Sequence, residues 1–398
     1  MGRAFRNVRD RFVSQISGRR DLGVGSPALA GRCQGSRCCR DLGAGGDSEC
    51  GGRSVWQGRP KQAMVGGAPR LRMSSQSIKR ALRESSFFAL DLKEHTGTRT
   101  KHLHGKLVAA LTGNGVAEED ATKAADTVAG IFGKLETVKK GETSETRATT
   151  LAFISPAEWA LAEDLAGKIV AGEKLPAEKD LKKLVLRRAD GAIDIAMFGR
   201  MLAADADFNR DAAVQVAHAI TTHSAQAEED WFSAVDDLNK LEDTGAGHLG
   251  EIAFGSGIYY QYVCVDCDLL VENLGGDRAL AAKGIEALTR AIAQTTPRGK
   301  QNSFAHHPMA YHIRAERGSR APRDLSGAFF KPVEKKLQTL GVNDLETGSV
   351  VAMTQTAAHI DACYFEGVAE EFRTLDTLKG EGTLGEIVRF ATEAVGAA

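Results

Sequence analysis

The chain has 398 residues, 42% hydrophobic and 26% charged, with a formal net charge of −1. This is globular composition, long enough for one large domain with insertions or for two. The charge balance says nothing about partners, so any site for a polyanion must be local. No run reaches the roughly 18 apolar residues of a membrane span, and the N-terminus lacks the apolar stretch of a secretory signal. Only Cys264, Cys267 and Cys363 fall in the body of the chain; this suits a reducing cytoplasm, where the protein is expected, away from membranes.

Residues 1 to 60 differ from the rest. They hold 11 arginines, no lysine and 12 of the 43 glycines. The stretch GRCQGSRCCRDLGAGGDSECGGRS (31 to 54) follows neither the helical nor the strand period. A disordered basic arm, an organellar transit peptide and a start or reading-frame error compete as explanations, and the error is favoured for a reason given below. Cys33, Cys38, Cys39 and Cys50 lack the paired CxxC spacing of a zinc site.

From Lys61 onward the elements become readable. RLRM (70 to 73) alternates as a short strand, with Arg70 and Arg72 on one face and Leu71 and Met73 on the other. Ser74 or Ser75 then caps a helix running to about Ser85. Residues 103 to 190 read as mainly helical, including a capping box from Ser155 to Glu158 with Pro156 at the first helical position. AIDIAMFG (192 to 199) reads as a strand, and 252 to 267 as a long β-rich stretch in which Ile258, Tyr260 and Tyr262 alternate against Tyr259, Gln261 and Val263. A helix is expected over 277 to 297, stopped by Pro297, then alternation over 307 to 318. Helices are expected near 328 to 340, 365 to 375 and 384 to 397. Strands and helices mix without a strict βαβ rhythm, so the class is α+β with a helical insertion.

RLRMSSQSIKRALRES (70 to 85) carries five cations against Glu84 alone. A helix start exposes unpaired N–H groups and a partial positive charge. Lys79, Arg80 and Arg83 are out of place there unless an anion is shared with the helix end. Phosphate fits, since N–H groups, serine hydroxyls and cations converge on it. Lys79 and Arg83 lie on one face, and Ile78 and Leu82 on another that can pack inward. A solvated charged face is the bland alternative. The array exceeds what one phosphate needs, which suggests a track for a nucleic-acid backbone.

KQAMVGGAPRLRMSSQSIKRALRES (61 to 85) resembles the N-terminal core of the CasC (Cse) family, the backbone subunit of the type I-E CRISPR Cascade complex. The likeness continues, in order, through GAIDIAMFGRM (191 to 201), AVQVAHAITTH (213 to 223), DWFSAVDDL (230 to 238), GAGHLGEIAFGSGIYYQY (245 to 262), ENLGG (272 to 276) and GKQNSFA (299 to 305). It spans about residue 58 to the C-terminus. The resemblance implies a hand-like fold: an RRM-like, ferredoxin-like palm (58 to 102 and 191 to 398), helical fingers (103 to 190) and a protruding thumb at about 199 to 230. It implies guide-RNA binding in the palm through Lys61, Arg72, Ser74, Gln76, Lys79, Arg80 and Arg83. At the thumb it implies an apolar wedge between bases, Met201, helped by Trp231 and Phe232, where plain core packing is the alternative. Lys300 in the GKQ segment is a further, looser candidate. Members of the family begin with an apolar palm strand and a loop rich in Asn, Arg and Asp. Residues 1 to 57 hold neither recognisably, so the segment reads as aberrant, disordered or mis-framed.

Other motifs fail on context. GAGHLG (245 to 250) matches G-x-G-x-x-G, yet a polar stretch precedes it and a strand-like one follows. Asp205, Asp207 and Asn209 begin like a calcium loop, but Arg210 and Val216 stand where Gly and Glu belong. Cys264 and Cys267 are a lone CxxC in a strand-like stretch, pointing to opposite faces. His218 and His223 miss the metal-ligand spacing, and His306 and His307 suit a loop. No catalytic constellation, cofactor or metal site is expected. The expected function is a non-catalytic RNA-binding subunit in antiviral defence. Its expected partners are guide CRISPR RNA, target DNA through that guide, further copies of itself head to tail, and other Cascade subunits. A metal-dependent ribonuclease like the type III backbone subunits is the alternative.

Overall fold

The computed structural model describes residues 11–21, 60–140, 143–186, 191–202, 206–234 and 248–396. The chain forms strand β1 (Arg11–Asp21), the hairpin β2 (Gln62–Val65) and β3 (Ala68–Met73), then helices α1 (Ser75–Arg83) and α2 (Ser86–Asp91) and strand β4 (Thr98–Thr100). A helical block follows: α3 (Leu103–Gly113), α4 (Glu118–Ile131), the hairpin β5 (Leu135–Lys140) and β6 (Thr143–Ala148), β7 (Ala152–Ile154), α5 (Pro156–Val170) and α6 (Glu178–Val185). Next come α7 (Ile193–Phe198), β8 (Val214–Val216), β9 (Ala219–Thr221), the paired strands β10 (Glu228–Ala234) and β11 (His248–Phe254), and the long β12 (Ser256–Asp266). The chain ends with α8 (Cys267–Asn273), α9 (Arg278–Gln294), α10 (Gln301–Phe304), β13 (His312–Gly318), α11 (Leu337–Leu340), α12 (Leu345–Tyr364), β14 (Glu371–Asp376) and α13 (Leu384–Thr392).

One antiparallel sheet organises the molecule, in the order β14-β13-β1-β12-β9-β3-β2, with β8 also on β12. The stretch that reads as one β run over 252 to 267 is the end of β11 followed by β12, whose sequence shows why it reads as β. Tyr259, Val263 and Val265 face a core shared with α9 and α13, while Tyr260, Tyr262 and Cys264 face Phe329, Val333 and Met353 on the other side. Both faces are covered, so the strand is apolar almost throughout. Residues of α3 to α6 form a separate apolar core, joined by Leu202. The architecture is mixed α/β with an antiparallel sheet.

Three local expectations are corrected. The chain from Arg11 to Asp21 supplies the strand between β12 and β13, pairing Arg11 with Asp266 and with Gly318, although no palm strand was readable before residue 57. Residues 193–198 are helix rather than strand, ended by Gly199 at φ 78°. Residues 371–376 are the edge strand of the sheet rather than helix, and the helix lies upstream at 345–364. The expected CxxC strand also ends early, since Cys267 opens α8 while Cys264 stays in β12; both are buried and neither is in a disulfide.

A buried acid–base pair makes the sheet pH-sensitive. His312 on β13 stands 3.3 Å from Asp376 on β14, both nearly inaccessible. The two are close but not aligned as a hydrogen bond, and neither ring nitrogen has a hydrogen-bond partner. Burial pushes the His312 imidazole below its usual value, with Asp376 pulling partly back. The unfolded chain therefore binds more protons between the lowered folded pKa and about 6.5. The contribution of His312 to stability is full above about pH 6.5 and falls as pH drops toward the folded value. Thermal melts between pH 8 and 5 are expected to show this decline, and His312→Leu to flatten it. The Asp376 carboxylate keeps its bonds from the Leu378 and Lys379 N–H groups.

Candidate nucleic-acid interface

The β2–β3 hairpin turns through Gly66 and Gly67, at φ 59° and 77°; positive φ at both positions suits a two-residue hairpin loop. The turn pairs Gln62 with Leu71 and delivers the chain into α1. The Ser74 hydroxyl accepts from the Ser77 N–H at 3.4 Å, capping that helix. Burial of Ile78, Ala81 and Leu82 fixes which face of α1 turns outward. The nine residues of α1 span about 13 Å at the helical rise, enough to follow several phosphates.

Two cationic groupings lie along this helix. At its start, Lys61 and Arg72 are close; burial, then Arg72, holds the Lys61 ammonium below its usual value. Arg72 Nη1 and the Ser75 N–H both point at His218 Nδ1, at 3.0 and 3.3 Å. Two donors make Nδ1 the acceptor, placing the ring proton on Nε2. Further along, Arg83 Nε donates to Asp194 Oδ2 at 3.0 Å, and Asp194 is 1% exposed. The Gly97 N–H donates to Asp194 Oδ1 at 2.8 Å. Burial pushes the Asp194 carboxyl up, while Arg83 and the Gly97 N–H pull it back. The guanidiniums of Arg83 and Arg99 sit 4.7 and 4.5 Å from the Phe153 ring centroid. Lys79 is half-buried 6.0 Å from the Phe198 ring; burial, then Arg99, lowers its ammonium. A close approach is required here, because a Cβ at Gly97 would lie 2.8 Å from the Phe153 ring.

The structure thus gathers Arg72, Gln76, Lys79, Arg80 and Arg83 along one helix and its entering strand, with Lys61, just before β2, held beside Arg72 by the Arg72 N–H donating to its carbonyl at 2.8 Å. Gln76 is exposed. Arg80 is exposed and pairs with Glu84 at 2.8 Å, a surface pair one turn apart that holds it weakly. The Ser74 side chain is buried and occupied by capping. Lys300 belongs to the loop tied to the helix end by Arg298 Nη2, which donates to the Glu84 carbonyl at 3.3 Å. Arg70 does not share the outward cationic face with Arg72. It is 0% exposed, and its guanidinium donates to the Thr221 and Phe329 carbonyls at 3.1 and 2.8 Å.

The apolar candidates stand apart from the ridge. Met201 is 76% exposed in a loop closed by reciprocal backbone bonds between Arg200 and Arg210. Leu202 inserts into the helical-block core beside it. Trp231 and Phe232, 70% and 46% exposed, lie on β10. Core packing accounts for none of the three. Neighbouring strand residues point to opposite faces, so Trp231 and Phe232 do not serve one contact together. Phe232 faces Gly250 across the hairpin, where a Cβ would lie 2.3 Å from its ring.

Among the described residues, no group of three or more His, Cys, Asp or Glu is placed to hold a metal ion, and no helix is long and apolar enough to cross a membrane. The arrangement can bind a polyanion electrostatically.

The fold is that of chains found in RNA-guided CRISPR assemblies. A chain of a solved structure described as "CRISPR RNA-guided surveillance complex, pre-nicking" is 22% identical with a TM-score of 0.73, covering 96% of this chain and all of that one. A second, from a "CRISPR RNA-guided surveillance complex", is 19% identical with a TM-score of 0.62, covering 98% and 100%. No curated protein matches the sequence. A family model described as CT1975-like protein matches residues 57–388, and the chain belongs to this family of Cas proteins.

Proposed function

We propose that the protein is a non-catalytic CRISPR RNA-binding backbone subunit of a type I-E Cascade-type effector. Copies assemble head to tail along one guide RNA and present it, with other Cascade subunits, for pairing with target DNA. The sheet serves as an RRM-like palm, residues 103 to 190 as fingers, and the Met201 loop as a wedge between guide bases. The observation that carries this reading is the surplus of cations along α1, where Arg83 and Arg99 share the influence of the Asp194 carboxylate and Lys79 stands near Arg99. Such a ridge tracks the backbone and leaves sequence to base pairing. The family and the fold of the surveillance-complex chains support it.

Titration of the purified protein with single-stranded RNAs of unrelated sequence tests the reading. Affinities are expected to be similar for all of them. They should fall with salt at a log–log slope of about −0.7 per phosphate contacted. Strong preference for one sequence, or binding indifferent to salt, would count against it.

A further inference from the structure

We propose that Arg99, on the strand entering the helical block, holds a phosphate of the bound guide RNA together with Lys79 across the α1–β4 seam. The assignment rests on the RNA-binding reading above and adds a residue from outside the α1 motif.

Arg99 and Phe153 are cross-strand partners in the short β4–β7 pair, and the guanidinium lies over the ring. The ring fixes the guanidinium plane at modest cost in side-chain freedom and leaves its N–H edge available. Arg83 occupies the same ring but is committed to Asp194 Oδ2, while the Gly97 N–H takes Oδ1. Both oxygens of the cluster's one carboxylate are therefore engaged. Among the described residues, neither Lys79 nor Arg99 forms an ion pair with a carboxylate.

Two cations close enough to repel, Lys79 half-buried and Arg99 exposed at the surface, are favoured by a shared counter-anion. Burial and Arg83 both push the Arg99 guanidinium down, and only Asp194 opposes them. A phosphodiester meets this need: it bears one charge, accepts several hydrogen bonds and matches guanidinium geometry. A backbone passing along α1 reaches the seam as its next contact. This recruits the start of the helical block to the guide and ties its position to RNA occupancy.

The test uses the full chain and guide RNAs of two unrelated sequences, with Arg99→Met, Arg99→Gln and Arg99→Lys. Arg99→Met keeps apolar cover on Phe153. Affinity is measured from low to high salt beside thermal melts. The expected result is a salt slope shallower by about 0.7 for Arg99→Met and Arg99→Gln, equal for both guides, with melting unchanged and the slope retained in Arg99→Lys. If Arg99→Met melts early, Arg99→Gln carries the comparison. An unchanged slope in both neutral variants, while neutralising Lys79 lowers it, overturns the Arg99 contact and leaves the RNA-binding reading standing. Wild-type protein that binds neither guide overturns both.

Discussion

Replacing Arg200 by alanine is expected to destabilise the protein by about 3–5 kcal/mol, the cost of stranding a buried charge. Arg200 Nη1 donates to Glu158 Oε2 at 2.6 Å, with both side chains at most 1% exposed. The same guanidinium donates to the carbonyls of Phe153 and Phe208 at 3.2 and 3.3 Å. Glu158 also closes the capping box of α5, accepting from the Ser155 N–H at 3.0 Å. One arginine therefore fastens the loop bearing Met201 to the start of α5 and to β7. Urea unfolding followed by circular dichroism measures the loss. Adding Glu158→Gln to Arg200→Ala removes the stranded charge and keeps the cap acceptor. The double variant is expected to recover about 1–3 kcal/mol. A single variant as stable as wild type would refute the role given to this pair.

The second large effect is on RNA. Neutralising Lys79 and Arg83 removes two cations of the ridge, but Arg83 also neutralises Asp194, so a simple truncation would confuse folding with binding. The informative protein carries Lys79→Met, Arg83→Met and Asp194→Asn, which retains an acceptor for the Gly97 N–H. Because Arg83 is already balanced by Asp194, the triple change removes one net cation, and the salt slope is expected to be shallower by about 0.7, one single-strand phosphate contact. Its affinity should fall equally for every guide sequence, because phosphate contacts carry no base information. A loss confined to particular spacers would contradict the backbone-tracking assignment.

The local chemistry of the ridge was readable because its signals are close in sequence. The Ser74 cap, the inward Ile78 and Leu82 and the outward cations all fall within ten residues. The Ser155–Glu158 capping box was readable for the same reason. What escaped depends on distant partners. Arg99 sits in a three-residue strand whose meaning comes from Phe153, and Arg83 finds its carboxylate 111 positions away. Arg70 shares the period-2 face of Arg72, but the chain near Phe329 covers that face at Arg70.

Residues 193–198 are apolar enough to satisfy either period, and a short apolar run does not distinguish helix from strand. The helix at 345–364 buries Gly348, Ser349 and Ala352 beside Val350 and Met353, so its face is not marked by large apolar residues alone. In RFVSQISGRRD, Phe12 and Val13 are adjacent and arginines follow, so no strand period shows. Its place between β12 and β13 comes from the sheet.

The central claim is that a ribonucleotide strand supplies the counter-anion of the α1 ridge. The most direct measurement is to express the protein with its neighbouring genes and a CRISPR array, purify it in low salt, and extract whatever nucleic acid accompanies it. The account expects short RNAs of uniform length carrying repeat and spacer sequence, lost from the variant neutralised at Lys79 and Arg83. Well-folded protein that comes away free of RNA, or with RNA unaffected by those changes, would contradict it.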